Sequence, residues 1–230
     1  KKVKIGASES MSKSKKNTID PQDIIKQYGA DAVRFFILAD SPPERDVQWS
    51  DEGMQSSYKF IQKFWVLNEQ ILELCKINSK NHNEELDVFT NQAINKINQS
   101  LEKFRYNVII ATFHEIYSYF KKIIENKNDY KNLKNNFKKI VLIMMPVVPH
   151  LANECLEKLN NNNFEDIKWP DVEEKYLIKE TNVIVVQVNG KKRGIISAEK
   201  EATENNIINL IKNKQLIDKY LISGNLVKTI

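Results

Sequence analysis

The sequence is poor in glycine and proline, with six of each in 230 residues, and it holds only two cysteines. No glycine-rich phosphate cradle is present. Neither GxxxxGK(S/T) nor GxGxxG occurs, so neither the common P-loop nor a dinucleotide fold is supported. Cys75 and Cys155 lie far apart on helical patterns without a CxxC neighbour. They read as reduced core thiols, and no protein-bound metal is expected. No apolar run reaches the roughly 18 residues that a membrane span requires. Lys1 to Lys4 lead into a Val3/Ile5 alternation rather than an apolar signal core. The chain begins without Met and reads as an excised piece. A charge excess spread over the whole surface is also missing. Residues 1–20 set six lysines against Glu9 and Asp20, which accounts for +4 of the net +5.

What is present is an ordinary globular balance, with 41% hydrophobic and 28% charged residues. Residues 2–6 read as a short strand that enters a small, polar, basic loop at 7–19. Asp20-Pro21-Gln22-Asp23 is a helix start, with Asp20 as an acceptor for free N–H groups and Pro21 at the first helical position. That helix should end at Gly29. Ala30–Ala39 reads as a second helix with Val33, Phe36 and Ile37 on one face. Pro42 and Pro43 force an exposed loop through Arg45 and Asp46. Ser50 is the next expected N-cap. Phe60, Phe64, Leu67, Ile71 and Leu74 then recur at helical spacing. Similar patterns at 87–104, 107–125, 131–144 and 150–159 predict a helical bundle, broken between Pro146 and Pro149.

Beyond a loop at Asn160–Asn163 and Trp169-Pro170, the composition changes. Val183–Val188 is β-branched and leads into Asn189-Gly190, the strongest short hairpin signal. Lys191–Ile196 is the expected return strand. Residues 203–213 form an expected helix capped by Thr203, and Val227 and Ile230 an expected further strand. The predicted class is mainly α, with a small, incomplete α+β domain at the C-terminal end. A second lysine cluster occupies 121–139, where seven lysines face Glu125 and Asp129. It reads as a solvated helix face.

The segment that carries chemistry is Ser10-Met11-Ser12-Lys13-Ser14-Lys15-Lys16-Asn17. Hydroxyls, backbone N–H groups and three ammonium groups are the mixture that a polyphosphate needs. From composition alone a plain basic linker is the competing reading. The order of residues adds more. MSKSKKN followed by a capped DP helix resembles the KMSKS loop of class I aminoacyl-tRNA synthetases. Tyr28-Gly29-Ala30-Asp31-Ala32-Val33-Arg34 fits the helix pair after that loop. Ser41-Pro42-Pro43-Glu44-Arg45-Asp46-Val47-Gln48-Trp49 looks like the leucyl enzymes of bacteria and organelles. Pro146-Val147-Val148-Pro149-His150-Leu151-Ala152 is similar to a turn of their anticodon-binding bundle. Val186-Gln187-Val188-Asn189-Gly190-Lys191-Lys192-Arg193-Gly194 resembles their C-terminal domain.

The resemblance implies a division into four parts. Residues 1–19 end a catalytic domain with the loop, and 20–57 are connecting helices. Residues 58–170 are the anticodon-binding bundle, and 171–230 are a truncated tRNA-binding α+β domain. It implies an ATP-dependent leucine–tRNA ligase, cytoplasmic and monomeric, with tRNA(Leu), ATP and leucine as partners and Mg²⁺ arriving with ATP. The leucine pocket lies upstream, so this piece alone is expected to be inactive. Ser10, Met11, Ser12, Lys13 and Ser14 would bind ATP, with Lys13 catalytic. Ser10 departs from the lysine usual at that position. Lys191, Lys192 and Arg193 would reach tRNA phosphates from a hairpin tip, or serve as solubilising charge. Arg45 would contact tRNA or pack on Asp46. Tyr117, Tyr119 and Phe120 read as core, with nucleotide stacking as the alternative. His150 reads as a capping or hydrogen-bonding residue, while His82 and His114 have no evident partner. Competing readings are a non-catalytic RNA-binding module and the isoleucyl or valyl counterpart.

Overall fold

A computed structural model of the chain describes residues 9–40, 42–77, 79–160, 168–177, 181–199 and 202–214. The expected strand at 2–6, the loop at 161–163 and the strand near Val227 lie outside them. Contacts divide the chain into two units, 1–173 and 174–230.

The first unit is helical: α1 (Pro21–Tyr28), α2 (Ala30–Asp40), α3 (Asp51–Leu74), α4 (Glu84–Glu102), α5 (Tyr106–Glu125), α6 (Leu133–Met144) and α7 (Pro149–Asn160). Its helix starts are chemically marked. The Asp20 carboxylate accepts from Gln22 N–H at 2.8 Å, and the Ser50 hydroxyl accepts from Gly53 N–H at 3.1 Å. Asn83 caps α4, so that helix begins at Glu84, three residues before the apolar periodicity predicts. A cap residue carries no apolar period, which is why the pattern alone starts late.

One core joins α2 to α7. Phe64, Phe113, Phe120 and Phe137 are all fully buried within it. Phe64 and Phe137 stack at 5.8 Å. On α2 the buried stripe is Ala32, Phe35 and Phe36, not the expected Val33, Phe36 and Ile37. This helix packs against both α3 and α5, which selects that stripe and leaves Ile37 48% exposed. Gly53 permits the α2–α3 approach, because a Cβ there would lie 2.8 Å from the Phe36 ring.

Two polar networks fix this packing. Asp87 on α4 accepts from the side-chain amides of Asn132 and Asn136 at 2.9 and 2.7 Å, and lies 2.8 Å from His82 Nε2. At the break between α6 and α7, Arg34 donates to the carbonyls of Val147 and Pro146 at 2.9 and 2.6 Å. Asp31 accepts from the Leu151 N–H at 2.7 Å and lies 2.8 Å from His150 Nδ1. His150 is therefore a hydrogen-bonding residue, and His82 has the partner that its sequence context did not reveal.

The second unit is an antiparallel hairpin, β1 (Thr181–Val188) and β2 (Lys191–Glu199), followed by α8 (Glu204–Asn213). Asn189 and Gly190 turn it with positive φ of 52° and 74°. Ile207, Leu210 and Ile211 of α8 pack against Ile184, Val186, Val188 and Ile196. Val183, Val185 and Ile195 stay exposed on the other face.

Asn68 is fully buried on α3, and neither polar atom of its amide has a hydrogen-bond partner among the described residues. An unpaired buried amide costs about 1–3 kcal/mol, whereas an apolar isostere does not. Asn68→Leu is expected to raise the unfolding free energy by about 1 kcal/mol or more. Denaturant titration checks this, and a midpoint unchanged or lowered contradicts it.

Candidate functional site

The loop at 10–17 is a defined turn rather than a free linker. Asn17 closes it from both sides. Its side-chain oxygen accepts from Ser12 N–H at 2.8 Å, and its amide donates to the Ser10 carbonyl at 3.3 Å. Within the turn the Ser12 and Ser14 hydroxyls share a hydrogen bond at 3.1 Å. Backbone bonds run from Lys15 N–H and Lys16 N–H to the carbonyls of Ser12 and Lys13. Lys16 takes a positive φ of 55°, the left-handed conformation that reverses the chain here. Asn17 carries this geometry, and its sequence signal was slight: a side chain prone to local backbone bonding at the end of a polar run.

The lysines of the loop are not equivalent. Lys15 pairs with Glu9 at 3.0 Å, which neutralises its charge locally. The Lys13 ammonium is exposed and has no hydrogen-bond or ion-pair partner among the described residues. It is a compact cation on an ordered turn, beside two hydroxyls. Ser10 and Met11 are exposed on the entering side. This arrangement can meet an incoming polyanion without first breaking an internal ion pair.

The remaining candidates fall elsewhere. Arg45 is exposed in the Pro-Pro turn, where its N–H donates to the Pro42 carbonyl at 3.0 Å. No ion pair joins it to Asp46 among the described residues. In the second unit Lys191 and Lys192 are exposed beside the turn. Arg193 is half-buried, because a register shift between Val186 and Gln187 breaks the regular pairing opposite it. It is less exposed than the two lysines beside it.

The aromatic candidates belong to the core. Tyr119 stacks on Phe89 with centroids 3.8 Å apart, and Phe120 is fully buried. Burial raises the Tyr119 phenol to about 12, so it stays protonated. His114 packs edge-on against Phe60 at 4.7 Å; burial and then Lys63 lower its pKa, so it favours the neutral form. Burial likewise pushes the Cys75 thiol to about 11 and the Cys155 thiol to about 12, which leaves neither as a ready nucleophile. Among the described residues no helix is long and apolar enough to cross a membrane.

Against this geometry stand the likenesses to known proteins. Residues 83–208 match the anticodon-binding domain of tRNA ligases, and residues 4–50 match tRNA synthetases of class I (I, L, M and V). The chain is 36% identical over 208 residues to a leucine–tRNA ligase of Bradyrhizobium diazoefficiens, covering 85% of the chain and 24% of that protein. It is 36% identical over 218 residues to the leucine–tRNA ligase of Rickettsia bellii, covering 94% of the chain and 26% of that protein. The chain thus spans about a quarter of the length of the curated relatives it matches. In fold it is similar to the Agrobacterium radiobacter K84 agnB2 LeuRS, solved as a ternary complex with tRNA and LeuAMS. That likeness has a TM-score of 0.71 at 22% identity, over 95% of this chain and 29% of the other. The chain belongs to the anticodon-binding domain family of tRNA ligases, with leucine–tRNA ligases as its relatives over most of its length.

Proposed function

We propose that this chain supplies the ATP loop and the tRNA-bearing bundle of a cytoplasmic, monomeric leucine–tRNA ligase. The observation that supports it most directly is the division of charge in the loop. Lys15 is paired with Glu9, while Lys13 is uncommitted on a turn fixed by Asn17.

In the first step a leucine carboxylate oxygen bonds to the α-phosphorus of ATP. The bond from that phosphorus to the β-bridging oxygen breaks, and pyrophosphate leaves with the electron pair. Negative charge accumulates on the departing diphosphate, so catalysis rests on positioning and electrostatic stabilisation. Lys13 meets that charge. Ser12 and Ser14 hold the phosphates through their hydroxyls, with Ser10 and Met11 at the loop entrance. Mg²⁺ belongs to the substrate, bound largely by phosphate oxygens and water. In the second step a terminal ribose hydroxyl of tRNA takes the leucyl group and AMP leaves. The bundle, Arg45 and the hairpin-tip lysines Lys191 and Lys192 hold tRNA by its phosphates, which carry no sequence information.

In the complete ligase, Lys13→Ala is expected to slow leucine-dependent ATP–pyrophosphate exchange by about 10²–10³-fold, the usual loss of one transition-state donor. Exchange within about threefold of wild type would remove Lys13 from the mechanism. Position 10 gives a second test. Ser10→Lys adds a cation at the loop entrance and is expected to tighten ATP binding in the same enzyme. Calorimetric titration showing unchanged affinity refutes that role.

A further inference from the structure

Two stretches that sequence analysis singled out separately form one contact. Tyr28–Arg34 opens α2, and Pro146–Ala152 is the turn from α6 to α7. Asp31 and Arg34 lie one helical turn apart, so both face the same neighbour. The Asp31 side chain is only 7% exposed. Its two carboxylate oxygens take the Leu151 N–H at 2.7 Å and approach His150 Nδ1 at 2.8 Å. Leu151 lies in the first turn of α7, so a negative charge from another helix completes that N-terminus. Arg34 binds the carbonyls of Pro146 and Val147, which the break after α6 leaves without helical partners. The carboxylate thus serves the donors that open α7, and the guanidinium serves the acceptors just before it.

The apolar packing of α2 is divided: Phe35 lies in the bundle core, and Ala32 and Phe36 lie in a second cluster with Met54. Apolar packing is non-directional and tolerates sliding and rotation. Charge-assisted hydrogen bonds are directional and do not. Of the forces at this joint, the Asp31 and Arg34 bonds are therefore the ones that fix register. On the loop side, α2 follows α1 at Gly29, where φ is 81°, and α1 opens at the Asp20 cap, a few residues along the chain from the lysine loop.

We infer that Asp31 and Arg34 are positioning residues that hold the tRNA-bearing bundle in register with the ATP loop, so that the tRNA end meets the adenylate. This rests on the function proposed above. Adenylate formation uses the loop but not the bundle. Leucyl transfer uses both, so a loosened joint slows transfer selectively. Misplacement by about 1 Å far from the chemistry can cost about 10²-fold.

The test uses the complete ligase with Asp31→Asn, Arg34→Gln and Arg34→Lys. It compares tRNA-free leucine-dependent pyrophosphate exchange with single-turnover transfer from preformed adenylate. Asp31→Asn and Arg34→Gln are expected to keep exchange within about threefold and to slow transfer by about 10- to 100-fold. Arg34→Lys keeps the charge and part of the hydrogen bonding, tolerates folding best, and is expected to lose less transfer while showing the same selectivity. If both reactions fall by one factor, or neither falls, the positioning role is overturned. A wild-type ligase without leucine-dependent exchange would instead remove the proposed function itself.

Discussion

The hydrogen bonds between α2 and the α6–α7 turn are the constraint on which the helical unit depends. The turn is costly in isolation: two prolines interrupt it, and it leaves the carbonyls of Pro146 and Val147 and the first donors of α7 without helical partners. Arg34 and Asp31 satisfy both sets from one face of one helix. One helix therefore both packs on α3 and α5 and anchors the α6–α7 turn. Along the chain, α1 and a short stretch before it are all that separate this helix from the lysine loop. Burial of Phe35 in the bundle core adds a non-directional contribution, and the polar bonds supply the register of α2 against the turn.

The legible part of the fold was the part governed by period and punctuation. Asp20, Ser50 and Thr203 marked helix starts because their side chains replace missing backbone partners. Asn189-Gly190 marked the hairpin because both residues accept positive φ. The bundle aromatics followed from their spacing. What stayed hidden depended on partners distant in the chain. The face of α2 shifted because two helices contact it, which its own period cannot reveal. Asp31 and Arg34 drew no individual reading, because their acceptors and donors lie more than a hundred positions away. His82 and Asn132 likewise meet Asp87 only in the folded bundle.

The candidate site was legible as a composition of lysine, serine and amide, and its internal differences were not. Composition alone makes the three loop lysines alike, and only the resemblance set Lys13 apart. In the fold Glu9 takes Lys15 and leaves Lys13 uncommitted. Asn17 turns the loop into a defined object by bonding Ser10 and Ser12 together. The hairpin shows a similar refinement: the register shift leaves Lys191 and Lys192 exposed and draws Arg193 inward.

The proposed function assigns the loop to a leaving diphosphate and the bundle to the acceptor RNA for one amino acid. The most direct measurement is amino-acid-dependent pyrophosphate exchange by the complete ligase, run in parallel with leucine, isoleucine and valine. The account predicts exchange with leucine and background rates with the other two. Exchange driven by isoleucine or valine, or by none of the three, would contradict it.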